Sequence, residues 1–187
     1  MRNIAAGARL ALFLKVSPSD FRVSAGHFAA LFIFNFVLAL LSDMVKQGWP
    51  GVFNAAALPI VLSQAPIILF ACLLIATLLA RRELLLALAI AVISGDALFE
   101  FVGLLLSLDP IGSWLGVRPN WTLLLAYGFI AWSLALSLRA LIVFDGWRGA
   151  RTFFAGGVLL GLVVAFVFFV PRTDLWLALD ESAEVDS

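Results

Sequence analysis

The chain has 187 residues, 64% of them hydrophobic and 13% charged, with a formal net charge of zero and a mean hydropathy of +1.11. A soluble domain of this size could not cover its surface with so few polar groups, so the long uncharged apolar runs read as membrane-crossing helices. A single cysteine, Cys72, excludes an intrachain disulfide, and with His27 as the one histidine there is no Cys/His cluster for a metal.

Residues 2–16 space Arg2, Arg9 and Lys15 among apolar residues. Lys15 interrupts the apolar core and no small-residue cleavage pattern follows, which argues against a signal peptide. The pattern predicts a short amphipathic helix in the membrane interface, bases toward the headgroups. Ser17-Pro18-Ser19-Asp20 then supplies turn and capping residues. Five apolar stretches follow, over 27–44, 56–80, 84–107, 121–144 and 152–170, each long enough to span a bilayer. Within the second, Pro66 should bend or locally unwind the helix. Arg81-Arg82-Glu83 is so short a connection that the second and third spans form an antiparallel hairpin. In the fifth, Gly157 and Gly161 have the small-residue spacing that lets helices approach closely. Pro171 ends that span, and residues 171–187 form a short acidic tail on the outer side. The expected fold is an all-α integral membrane protein of one domain, 1–187, with five transmembrane helices preceded by the interfacial helix.

Charge asymmetry orients this bundle. Of the twelve Lys and Arg, nine fall on one side: Arg2, Arg9, Lys15, Arg22, Arg81, Arg82, Arg148 and Arg151, with Arg139 able to snorkel there. Lys46, Arg118 and Arg172 fall on the other. The positive side is cytoplasmic, so the N-terminus is expected inside and the C-terminus outside. Anionic lipid and topology account for these bases better than nucleic acid does.

Asp96 and Glu100 interrupt the third span one helical turn apart, on one face. A charge at bilayer depth costs at least ~2.5–3.5 kcal/mol, so such groups normally face protein or water. Measured from the outer ends at roughly 1.5 Å per residue, Asp96, Asn35 and Ser133 lie near the midplane, with Glu100, Gln64 and Tyr127 one layer outward. The expectation is an intramembrane polar cluster in which Asn35, Gln64, Ser133 and Tyr127 donate to the two carboxyl groups. Three roles fit such a pair: proton or cation movement, a hydrogen-bonded structural or partner contact, or acid–base chemistry on a lipid. No other catalytic constellation accompanies them, which favours the structural role. No Gly-rich phosphate loop is present, and neither a cofactor nor a metal is expected.

Phe13-Leu14-Lys15-Val16-Ser17-Pro18-Ser19-Asp20-Phe21-Arg22 resembles the Ser-Pro-x-x-Phe segment that precedes the first span in bacterial members of the Yip-type (Ypt-interacting protein) membrane domain. Five spans and a cytoplasmic N-terminus match that layout. The Asp-Leu-Tyr-Gly-Pro type signatures of the eukaryotic members are absent, so neither a Rab-linked role nor any functional residue carries over. The resemblance implies a scaffold or partner-binding membrane domain without catalysis. The expected function is thus a non-catalytic scaffold or accessory subunit of a bacterial inner membrane, binding lipid, another membrane protein or a second copy. The alternatives are a proton- or cation-coupled transport component using Asp96 and Glu100, and a lipid-acting membrane enzyme. Against transport, five spans do not divide into two equal repeats.

Overall fold

Apolar runs with neither water nor neighbouring strands to satisfy their backbone close their own hydrogen bonds as helices, and the computed structural model of the chain is mostly helical. It describes residues 1–108, 121–146, 149, 151–152, 154–158, 161–162 and 174–179. The helices are α1 (Arg2–Ala11), α2 (Ala25–Gln47), α3 (Leu58–Leu78), α4 (Leu85–Ser107) and α5 (Trp121–Asp145). Among the described residues, three stretches are long and apolar enough to cross a membrane: Ala25–Gln47, Ala55–Leu78 and Arg82–Leu105. The expected fifth span, 152–170, lies largely outside the described residues, although 151–152, 154–158 and 161–162 are helical.

Helix α4 is the spine, with α1, α2, α3 and α5 all packed on it. Its residues Ala87 to Ala91 are buried in succession, on every side of the helix, as expected of a central helix that is apolar all round. The share of the apolar window buried inside the protein is 56% for the α4 stretch but 11% for the α3 stretch. The outer face of α3, with Leu62, Ile67, Phe70 and Leu73, is therefore left for lipid or a partner. Helix α3 continues through Pro66 without the local unwinding that the proline suggested, and Ser63 Oγ donates to Ile60 O at 2.6 Å in the turn before it. At the α3–α4 connection, Arg81 pairs with Glu83 at 2.9 Å and reaches Asp145 at the end of α5 at 3.1 Å. The hydrogen bonds to Glu83 and then to Asp145 push the Arg81 pKa above its usual value, so the guanidinium stays charged at every physiological pH.

Three expectations need correction. The first helix ends at Ala11 rather than at residue 16. Phe13 takes a left-handed backbone (φ 58°), and Leu14 N donates back to Arg9 O at 2.8 Å, turning the chain out of the helix. Nor is its apolar face turned to lipid: Ala6, Gly7, Leu10 and Ala11 are buried, and the helix packs on α4 and α5. Amphipathic periodicity marks an apolar face without saying whether lipid or protein covers it.

The all-α expectation is also incomplete, and so is the acidic tail. Residues β1 (Gly51–Phe53) and β2 (Trp176–Ala178) form an antiparallel ribbon, in register Gly51↔Ala178, Val52↔Leu177 and Phe53↔Trp176. Leu175 in this segment is buried, and its N–H donates to Asp43 Oδ2 at 2.8 Å. Asn54 Nδ2 donates to Asp174 O at 3.0 Å, and Trp176 stacks on Trp49 with ring centroids 5.5 Å apart. Residues 174–179 are thus fastened to the α2–α3 connection. The apolar run Leu175-Trp176-Leu177-Ala178-Leu179 gives the tail a face to bury that its net acidity hides.

Candidate functional site: the carboxylate pair on the central helix

Asp96 and Glu100 sit one turn apart on α4, both half-buried within the protein. The helices approach closely at the residues just before Asp96. Gly7 of α1 lies so close to Ser94 that an added Cβ would strike the Ser94 carbonyl and hydroxyl, and a Cβ at Gly95 would strike Leu136 of α5. Small residues at both crossings let α1 and α5 grip α4 from two sides at the level of the carboxylates.

The next contacts hold α1 in this seat. Trp132 of α5 donates from Nε1 to Ala11 O at 2.7 Å, using a carbonyl that the end of α1 leaves open. The same indole meets Phe99 of α4 edge-on, with centroids 4.5 Å apart. Arg139, two further turns of α5 along, donates to Leu14 O and lies over the Phe13 ring at 5.2 Å. Arg139 therefore caps the turn after α1.

The predicted cluster members are distributed differently from the expected donor layer. Asn35 of α2 reaches α4, but its Nδ2 donates to Ile93 O at 2.8 Å and to its own Leu31 O at 3.2 Å, three residues short of Asp96. Its Oδ1 is buried with no hydrogen-bond partner among the described residues. Gln64 and Ser133 are half-buried on α3 and α5. Tyr127 belongs to α5, but its side chain lies outside the described residues. Among the described residues, the Asp96 carboxyl accepts no hydrogen bond. No group of three or more His, Cys, Asp or Glu that could hold a metal occurs among them either. Among the described residues, a Cβ at Gly157 or Gly161 would meet nothing within 4 Å, whereas one at Gly156 would lie 3.1 Å from Leu138.

Asn35→Leu should therefore weaken α2–α4 packing only mildly. The average interhelical hydrogen bond in a membrane contributes about 0.6 kcal/mol and the strongest about 1.7. Leucine also removes the unpartnered Oδ1, so the loss should fall at the lower end. Unfolding in mixed micelles against added denaturing detergent measures it.

Sequence reasoning missed Gly7, Ser94 and Trp132. The small-residue run Ala5-Ala6-Gly7-Ala8 was the available signal for the first of these. Chemically, two carboxyls one turn apart on a gripped helix can accept hydrogen bonds from a docking chain or pass a proton between them. Comparison with protein-family models, curated proteins and solved structures returned no match.

Proposed function

We propose that this chain is a non-catalytic scaffold or accessory subunit of a bacterial inner membrane. It crosses five times, with the N-terminus in the cytoplasm and the C-terminus outside, and binds a membrane partner. One observation carries the reading: among the described residues, three polar side chains that reach between helices bind backbone carbonyls. Asn35 goes to Ile93 O, Trp132 to Ala11 O and Arg139 to Leu14 O. Polar groups used in this way fix helix positions. The broad apolar face of α3 gives a partner helix a surface, and the pairing of β2 with the α2–α3 connection agrees with both lying outside. The resemblance of residues 13–22 to the Yip-type segment points the same way.

A second reading, a proton- or cation-coupled transport component, is favoured by the Asp96 carboxyl having no hydrogen bond among the described residues. The double replacement Asp96→Asn with Glu100→Gln separates the two. For a scaffold, the wild type shows no pH-dependent flux in proteoliposomes. The variant then retains about eightfold less partner on co-purification, the equivalent of two interhelical hydrogen bonds at about 0.6 kcal/mol each. Wild-type flux that the variant loses, with assembly intact, would replace the scaffold by the transporter. Lipid turnover by the purified protein, abolished by Asp96→Asn, would instead mark an enzyme.

A further inference from the structure

We infer that the cleft between the start of α1 and the first turns of α2 binds the headgroup of an anionic phospholipid. The cleft has a volume of about 260 Å³, room for several water-sized groups at about 30 Å³ each. Its polar wall is Arg2, Arg22 and His27, and its apolar wall is Ile4, Leu31 and Phe34. Among the described residues, no acidic side chain lines it. His27, Leu31 and Phe34 lie on one face of α2. Over that eight-residue stretch, roughly 10 Å of helix, the lining changes from basic to apolar, as a lipid changes from phosphate to acyl chain.

The bases are poised for an outside anion. Among the described residues, the Arg22 guanidinium makes no hydrogen bond or ion pair. His27 uses Nδ1 on Ser24 Oγ at 2.6 Å, which leaves Nε2 as the open position of the ring. Arg2 keeps donors in reserve after reaching Asp20 O at 3.1 Å and Ser19 O. The mouth is fixed by a reciprocal pair: Asn3 Nδ2 donates to Arg22 O at 2.9 Å, and Arg22 N donates to Asn3 Oδ1 at 2.7 Å. Two guanidinium groups and an imidazole without a carboxylate complement a phosphodiester of net negative charge. A free phosphate would meet the same bases but leave Leu31 and Phe34 unused, so the lipid is the better fit.

This inference rests on the membrane placement proposed above. The test reconstitutes the full-length protein in nanodiscs of phosphatidylcholine doped with phosphatidylglycerol and counts retained lipids by native mass spectrometry. The wild type should retain phosphatidylglycerol preferentially. Arg22→Gln should lower that preference by about fivefold, as for one Lys or Arg near the surface, His27→Gln should lower it less, and Arg22→Lys should keep most of it. An unchanged preference in the Arg22→Gln/His27→Gln double variant would overturn the site. Displacement by inorganic phosphate as effective as by lysophosphatidylglycerol would overturn the lipid assignment. The carboxylate variants of the proposed function should leave the preference intact, so failure of either idea is visible without the other. Labelling of an Arg22→Cys variant from the outer face would overturn the orientation alone.

Discussion

Gly7→Leu should detach α1 from α4 and lower the stability of the detergent-solubilised protein by at least about 1–3 kcal/mol, the usual cost of forcing atoms into a packed contact. Gly7→Ala should already be damaging. Its Cβ would meet the Ser94 carbonyl carbon and oxygen, which are backbone and cannot rotate away, as well as the hydroxyl. Ser94→Gly therefore should not rescue Gly7→Ala, since it removes only the hydroxyl. Gly26 in the first turn of α2 provides the control. Among the described residues, a Cβ there meets only Ser24 Oγ at 3.9 Å, so Gly26→Ala should be neutral or slightly stabilising through helix propensity. Denaturing-detergent titration gives the stabilities, and limited proteolysis of residues 1–22 reports whether α1 has left its seat.

Trp132→Ala should cost about 3 kcal/mol, the lower end of the range for truncating a large aromatic, because the indole is half-buried. It removes the edge-on contact with Phe99 and the hydrogen bond to Ala11 O together. Trp132→Phe separates the two, keeping a ring against Phe99 while leaving the carbonyl without its donor, at about 1–3 kcal/mol. Gly7 and Trp132 both act on α1, so combining Gly7→Ala with Trp132→Ala should cost less than the sum. Additive losses in the same titration would mean that α1 is not the shared element.

The long helices were legible because uninterrupted apolar runs leave the backbone one way to satisfy itself. The stretch predicted over 84–107 is α4 at Leu85–Ser107, and that over 56–80 contains α3 at Leu58–Leu78. What covers a face was not legible. The periodicity of residues 2–16 is equally consistent with lipid and with a neighbouring helix, and the choice depends on Ser94 and Trp132, far along the chain. The approach of Asn35 to α4 near Asp96 was legible, but its partner was not: an amide at the level of Ile93 finds a backbone carbonyl nearer than a carboxylate. The ribbon was hidden for another reason. Each strand is three residues long, too short for alternation to register, and the pairing joins segments about 120 residues apart.

That ribbon also governs when the molecule is finished. Asn54 is made 120 residues before Asp174, so the clasp between them waits while α3, α4 and α5 are synthesised and packed. Closing a loop of that length from a free chain has a length-dependent entropy cost of about 4 kcal/mol. The prior assembly of helices around α4 removes most of that cost by holding the two ends near each other. The clasp is then a record of completed assembly: a chain arrested before residue 174 can own every contact of α4 described above and still leave the α2–α3 connection open.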